Sequence, residues 1–149
     1  MRKLYWFGLR LADVVLLRHA AILLLVQDFK RLVAWQKAHA LFLNVFGAVR
    51  RMPRFVPSTL KSQVYRASDS IVTNIVEGAL ASTRKEFARF LDMSIRSSGE
   101  LEYHLIKCRD IGAITTETWT PLNDGAIEVR MLTFSLRKRI READQNEKN

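Results

Sequence analysis

Residues that build disulfides, metal sites and phosphate-binding loops are scarce in this chain. Cys108 is the one cysteine, which excludes an intrachain disulfide and a cysteine-rich zinc site and fits a reducing compartment such as the cytoplasm. The six glycines are dispersed and form no phosphate-binding loop. The three histidines, His19, His39 and His104, match no zinc motif. We therefore expect a cytoplasmic protein with no metal, no cofactor and no catalytic residues.

Long apolar runs are also missing. In the first 27 residues the longest uninterrupted apolar run is Ala20 to Val26, whereas a membrane span requires about 20 such residues. No convincing signal-peptide cleavage site can be placed. We expect residues 1–27 to be an N-terminal extension, either translated from a start codon set too early or forming an added amphipathic helix. A membrane anchor is the least favoured interpretation.

Proline and glycine are few, and they stand where helices are expected to end. The two prolines of Met52–Pro57 disfavour helix in the residues before them. Thr83 and Glu86 have the spacing of a capping box, and Gly78 and Gly112 are suited to end helices by adopting positive φ. The predicted helices run from about Asp28 to Arg51, from Ser58 or Thr59 to Gly78, from Thr83 to about Ile111 and from Thr115 or Thr116 to near Glu142.

Short connections between long helices make sequential helices antiparallel neighbours. We therefore predict an all-α protein, an antiparallel up-down-up-down four-helix bundle over residues 28–142, with a frayed polar tail at 143–149. Residues at helical spacing indicate the face of each helix that is directed at the core. They are Phe29, Leu32, Val33, Gln36, Ala40, Leu43 and Phe46 in the first helix, Leu60, Val64, Ala67, Ile71 and Ile75 in the second, and Phe87, Phe90, Leu91, Ser94, Ser98, Leu101, Leu105 and Cys108 in the third.

The fourth helix has two apolar sides. Ile127, Met131 and Phe134 lie on one side, and Val129, Leu132, Leu136 and Ile140 lie on the other. A helix of this kind has more apolar surface than its own bundle can cover, so we expect subunit contacts and a homo-oligomer.

A narrow polar stripe follows the apolar face of the second helix. Its members, spaced three and four residues apart, are Gln63, Arg66, Ser70, Asn74 and Glu77. Surface helices usually spread their polar residues over a broad arc, so we interpret this stripe as a structural hydrogen-bonding network. A hydrolase built around Glu77 is a weaker alternative, since no pocket or paired acid is evident.

Basic residues gather at two places in a chain of net charge +9. Residues 28–66 hold eight Lys or Arg against one acid, a balance of +7. The candidate nucleic-acid-binding residues are Arg50, Arg51, Arg54 and Lys61 near the first connection, and Arg137, Lys138, Arg139 and Arg141 near the end of the fourth helix. Favourable interaction with the helix dipole is an equally good explanation of the second group.

These motifs resemble a bacterial family of four-helix-bundle proteins encoded in intervening sequences of large-subunit ribosomal RNA genes. The resemblance runs from about Asp28 to about Arg141. It rests on an opening Asp-Phe-Lys-Arg-Leu-Val-Ala-Trp-Gln-Lys-Ala from Asp28, on Gln-x-x-Arg-Ala-x-x-Ser-Ile-x-x-Asn-Ile-x-Glu-Gly from Gln63, on Arg-Lys-Glu-Phe-Ala-Arg-Phe-Leu from Arg84 and on Ser-Gly-Glu-Leu-Glu from Ser98.

The resemblance implies a ring-like homo-oligomer, a pentamer in known members, and no settled activity. A related group serves as the accessory subunit of diversity-generating retroelements, binding a reverse transcriptase and nucleic acid. Our leading hypothesis is a non-enzymatic oligomeric scaffold that contacts RNA or DNA through backbone charge. The alternative is a protein adaptor whose partner is, for example, a reverse transcriptase.

Overall fold

Four helices and one short turn make up the part of the chain that this computed structural model describes, residues 28–146. A 3-10 turn, Phe29–Arg31, precedes the helices. The helices are α1 (Val33–Arg51), α2 (Ser58–Ala79), α3 (Arg84–Asp110) and α4 (Thr116–Asn146). No strand occurs among these residues. The predicted N-terminal extension, residues 1–27, and the last three residues of the predicted tail lie outside the described range.

The helices form the predicted four-helix bundle. α1 packs beside α2 and α4, and α3 completes the square by packing against the same two helices. One end of the bundle holds the loops α1–α2 and α3–α4, and we call it the α1–α2 loop end. The other holds the loop α2–α3 and the last turns of α4, and we call it the α2–α3 loop end. None of the helices over residues 28–146 is long and apolar enough to cross a membrane.

The start of the first helix was predicted wrongly. Asp28 accepts a hydrogen bond at Oδ1 from the Lys30 backbone N–H at 3.1 Å, so it caps only the 3-10 turn. Leu32 then adopts an extended conformation, with φ −73° and ψ 120°, and α1 begins at Val33. The helical spacing upstream is therefore interrupted by one extended residue. At the other end of the chain, α4 continues through Asn146, beyond the predicted end near Glu142.

Two predicted helix boundaries are confirmed. Thr83 caps α3 by accepting from the Glu86 backbone N–H at its Oγ1, at 3.1 Å. Gly112 ends the turn after α3 with φ +73°, a conformation that costs glycine little. Gly78 does not act as a stop, because α2 continues through Ala79. Its lack of a side chain serves packing instead: a Cβ atom there would lie 2.6 Å from Cδ2 of Phe87.

The buried face of α1 also differs from the prediction. Val33, Leu43 and Phe46 are largely exposed, at 55%, 53% and 41%. Gln36 and Ala40 are exposed as well. The buried seam instead consists of Ala34, Ala38, Leu41, Val45 and Ala48. The alanines let α1 approach the bundle closely, and its aromatic side chains lie on the flanks.

The other helices bury the faces that were expected. Val64, Ile71 and Ile75 of α2 are fully buried, as are Leu91, Leu101, Leu105 and Cys108 of α3. Ser94, also fully buried, donates from Oγ to the Ile71 carbonyl across the α2–α3 contact at 2.9 Å. On α4, Val129 is buried, whereas Met131 and Phe134 are 66% and 51% exposed. The side of α4 that carries Met131 and Phe134 is therefore uncovered in a single subunit.

Candidate nucleic-acid interface

Three of the predicted basic residues lie at the α1–α2 loop end. Arg50 and Arg51 form the last turn of α1, and Arg54 lies in the loop that follows. All three are exposed. None of them forms an ion pair with a carboxylate among residues 28–146. Their charge is available to solvent and to ligands.

The three arginines do not form one compact cluster. The Arg50 guanidinium lies 5.7 Å from the ring centre of Phe46, on the side of α1 that contacts α2. Arg51 instead lines a cleft of about 430 Å³ between α1 and α4, together with Thr118 and Pro121. Successive residues of a helix point about 100° apart, so the basic charge is spread around the end of the bundle.

Lys61, the fourth residue of the predicted group, has a structural contact. Its Nζ donates to the carbonyl oxygen of Met52 at 3.1 Å. Met52 is the C-cap of α1, where free carbonyls and the helix dipole favour a cation. Lys61 therefore joins the beginning of α2 to the end of α1.

The second predicted group, on α4, is largely paired with acids. Arg137 and Arg141 both bind the carboxylate of Asp92 on α3, the latter at 2.6 Å. The Nζ atom of Lys138 lies 3.9 Å from Oε1 of Glu142, one turn further along α4. Only Arg139 of the four has no acid partner among the described residues, and it lines a cleft of about 720 Å³ at the α2–α3 loop end. The pairing with Asp92 explains much of this group structurally.

The polar stripe of α2 forms a smaller network than predicted. Asn74, only 8% exposed, donates from Nδ2 to the Ser70 carbonyl at 2.8 Å and to Ser70 Oγ at 3.0 Å. Ser70 Oγ in turn lies 2.9 Å from Oγ of Ser97 on α3. The side chains of the other three members, Gln63, Arg66 and Glu77, are exposed and form no hydrogen bond among the described residues.

Two other titratable residues noted in the sequence, His104 and Cys108, are buried in the bundle. His104 is buried, and its Nε2 lies 3.3 Å from Oε1 of Glu100, one turn earlier. Burial raises the pKa of the Cys108 thiol, and the neighbouring Lys107 opposes this only in part. A raised pKa keeps the sulfur in its unreactive protonated form. No group of three or more His, Cys, Asp or Glu in this range is arranged to hold a metal ion.

The sequence matches the family model of the 23S rRNA-intervening sequence protein over residues 30–135, which is more than half of this chain. The chain belongs to this family. No curated protein matches it. A crystal structure of a protein of unknown function, from the S23 ribosomal protein family of Bacteroides thetaiotaomicron, has a TM-score of 0.65 and 24% identity to this chain. That match covers 71% of this chain and 99% of the other, and it shows a shared fold.

Sequence reasoning missed one surface of this family member. Aromatic side chains follow one flank of α1: Trp35, His39, Phe42 and Phe46, with Tyr65 of α2 packed beside the last two. We call these five residues the aromatic line. The signal was present in the spacing, because positions 35, 39, 42 and 46 recur every three or four residues on one side of a helix. Trp35, His39 and Phe42 were overlooked, and Phe46 was assigned to the core, because the buried seam was placed on the wrong side of α1.

Proposed function

We propose that this protein is a non-enzymatic, homo-oligomeric helical scaffold that binds RNA or DNA through the nucleic-acid backbone. The observation that carries the proposal is the set of exposed arginines at the α1–α2 loop end, Arg50, Arg51 and Arg54, which have no acid partner among the described residues. Unpaired arginines bind phosphate oxygens with charge-assisted hydrogen bonds and carry no information about base sequence. A sequence-tolerant contact is therefore expected.

The end of α4 is the weaker candidate for this contact. One carboxylate, Asp92, binds both Arg137 and Arg141, so a phosphate would have to compete with an existing ion pair. Arg139 and Lys138 remain as secondary contacts. At the α1–α2 loop end, a phosphate would not have to displace a carboxylate from Arg50, Arg51 or Arg54.

Self-association is supported by the uncovered side of α4. Met131 and Phe134 are 66% and 51% exposed, and Ile127 lies one turn before Met131. Exposed apolar groups of this size, adjacent on one helix, are typical of a subunit contact. The family resemblance implies a pentamer. A ring of subunits would repeat the arginines of the α1–α2 loop end around one face, which multiplies weak phosphate contacts.

Binding measured across salt concentrations tests the proposal. On duplex DNA, each neutralised phosphate contributes about −0.9 to the slope of log K against log salt. Replacing Arg50, Arg51 and Arg54 with Ala should flatten this slope and weaken binding to unrelated sequences alike. The matched control replaces Lys85, Arg89 and Arg96, three exposed basic residues of α3, with Ala and removes the same charge. No binding at low salt, or equal losses in both triple variants, would contradict the proposed site.

A protein adaptor is the second candidate function. A groove of about 550 Å³ between α2 and α3 is lined by polar groups, among them Gln63, Arg66 and Glu100. The side chains of Gln63 and Arg66 form no hydrogen bond among the described residues, so both are available to a partner protein such as a reverse transcriptase. Loss of a partner in Gln63→Ala and Arg66→Ala variants, with nucleic-acid binding unchanged, would favour the adaptor.

A further inference from the structure

The aromatic line follows one flank of α1 as two groups of packed rings, the second of which lies against Tyr65 of α2. Trp35 and His39 stack with ring centres 5.1 Å apart and planes at 7°. Phe42 and Phe46 have centres 6.4 Å apart at 22°. The Tyr65 ring meets both phenylalanines edge-on, at 5.6 and 6.3 Å. At 1.5 Å rise per residue, the distance from Trp35 to Arg50 is about 22 Å.

These rings are accessible. Phe46 and Tyr65 are 41% and 37% exposed, His39 is exposed, and Trp35 and Phe42 are half-buried. Each ring is held in place by a neighbour and still presents part of its surface to solvent. Rigid, half-exposed aromatic rings cost little conformational entropy when a ligand packs on them.

Both ends of the aromatic line are basic. Arg50 lies over Phe46 at one end, 5.7 Å from the ring centre. At the other end Phe29 packs edge-on against Trp35, and the Lys30 ammonium lies 5.9 Å from the Phe29 ring centre. The nearest acids in sequence are Asp28, which caps the 3-10 turn, and Asp69, which is exposed one turn beyond Tyr65.

We infer that the aromatic line is a stacking surface for the bases of single-stranded nucleic acid, with Arg50 and Lys30 holding the backbone at its two ends. The inference rests on the proposed function and deepens it by naming the form of nucleic acid. Aromatic side chains stack on any exposed base, and basic groups beside them follow the backbone, which is the usual combination in proteins that bind single strands. In a duplex the bases are already stacked on each other and offer no free face.

Charge disfavours a contact between the aromatic line and the same line of a second copy, and it favours a polyanion on this surface. In a two-fold symmetric contact along the aromatic line, the Arg50 end of one subunit would meet the Lys30 end of its partner. A parallel arrangement would place each cation next to its own copy. Either pairing brings like charges together, which is unfavourable across an interface. The exposed side of α4, with Met131 and Phe134, is the better surface for self-association.

The test separates base contacts from backbone contacts. The full chain is titrated with an oligothymidylate of about 12 nucleotides, within the usual range of single-strand sites, and with an abasic phosphodiester strand of equal length. The variant is Phe46→Leu with Tyr65→Leu, which keeps apolar bulk and removes two ring faces. The control is Tyr103→Leu, which removes an exposed aromatic ring of α3 outside both proposed contact surfaces. Circular dichroism and light scattering verify that each variant retains its fold and assembly.

The parent should bind the oligothymidylate at least about fivefold more tightly than the abasic strand, since stacking on one aromatic ring contributes about that much or more. The double variant should lose most of this preference, because only Trp35, His39 and Phe42 remain, while the salt slope stays unchanged; an undiminished preference would overturn the inference. Equal affinity of the parent for both strands would overturn the inference and leave the proposed function intact. Conversion of the double variant to a monomer would identify the aromatic line as a subunit interface instead. Absence of binding to either strand at low salt would reject the proposed function as well.

Discussion

Gly78 allows a close approach of α2 to the start of α3, and replacing it with alanine tests whether that approach matters. A Cβ atom at this position would lie 2.6 Å from Cδ2 and 3.0 Å from Cε2 of Phe87, and 3.2 Å from Cβ of Phe90. Contacts below 3 Å require the neighbour to move. Because Phe87 is buried and packed, Gly78→Ala forces a rearrangement where α3 begins.

Two opposing effects determine the magnitude. Alanine favours helix over glycine by about 0.5–1 kcal/mol within a helix, and less near the end, where Gly78 stands. Overpacking a core contact costs about 1–3 kcal/mol. Phe87 also lines the cleft of about 720 Å³ at the α2–α3 loop end, so its ring has space to retreat on one side. We therefore expect a net loss of roughly 0.5–2 kcal/mol in the free energy of unfolding.

Gly99→Ala is the matched control. Gly99 lies in the middle of α3, and a Cβ atom there would be 3.9 Å from Nη1 of Arg130, an ordinary contact. This variant should gain about 0.5–1 kcal/mol from helix propensity alone. Urea unfolding followed by far-ultraviolet circular dichroism, at one protomer concentration, measures both.

The contact with Phe87 is then tested directly. In a double-mutant cycle, Phe87→Leu combined with Gly78→Ala should be less destabilising than the sum of the two single changes, because the smaller side chain makes room for the new methyl group. If Gly78→Ala stabilises the protein as much as Gly99→Ala does, the close approach is not the reason for glycine at position 78.

Three further outcomes are expected. Asp92→Asn should destabilise the fold by about 1–3 kcal/mol, because it leaves Arg137, whose side chain is 18% exposed, without a countercharge. Glu128→Gln breaks the ion pair with Lys37, in which both side chains are 50% exposed, and should cost under about 1 kcal/mol. Equal losses of stability for the two variants in chemical denaturation would contradict this expectation. Asn74→Ala should cost about 1–3 kcal/mol by breaking the bonds to Ser70, while exposed Glu77→Ala should change thermal stability by less than about 0.5 kcal/mol. The Cys108 thiol, buried and with a raised pKa, should react with a thiol reagent only as fast as the protein opens, so rapid stoichiometric labelling of the native protein would show that the thiol is accessible.

Sequence reasoning was most reliable where large aliphatic residues form the core. In α2 and α3 the residues with the strongest helical periodicity, such as Ile71, Ile75 and Leu101, are also fully buried. In α1 the largest apolar side chains lie outside the seam, which is built largely of Ala34, Ala38 and Ala48. Periodicity identifies a helix and its possible faces, and the neighbouring helices decide which face is buried.

The candidate site was predictable in composition and less so in geometry. The position of Arg50, Arg51 and Arg54 near a loop followed from the prolines, but their division between two sides of α1 depends on where α2 and α4 lie. Asp92 is 45 residues away from Arg137 in the sequence, so no local pattern could predict their ion pair. Likewise, Ser97 opposite Ser70 determines which part of the polar stripe becomes a network.

The alanine-rich seam of α1 has a consequence for local unfolding. Burial stabilises a helix by about 25 cal/mol per Å² of apolar surface, and three of the five buried residues of α1 are alanines. α2 and α3 bury larger side chains, including Ile71, Leu91 and Leu105. Amide hydrogen exchange in α1 should therefore proceed through partial opening, with α2 and α3 still paired as the last cooperative unit to unfold. A ligand that spans α1 and α2 would slow exchange in α1 most, which makes this helix the natural reporter of occupancy.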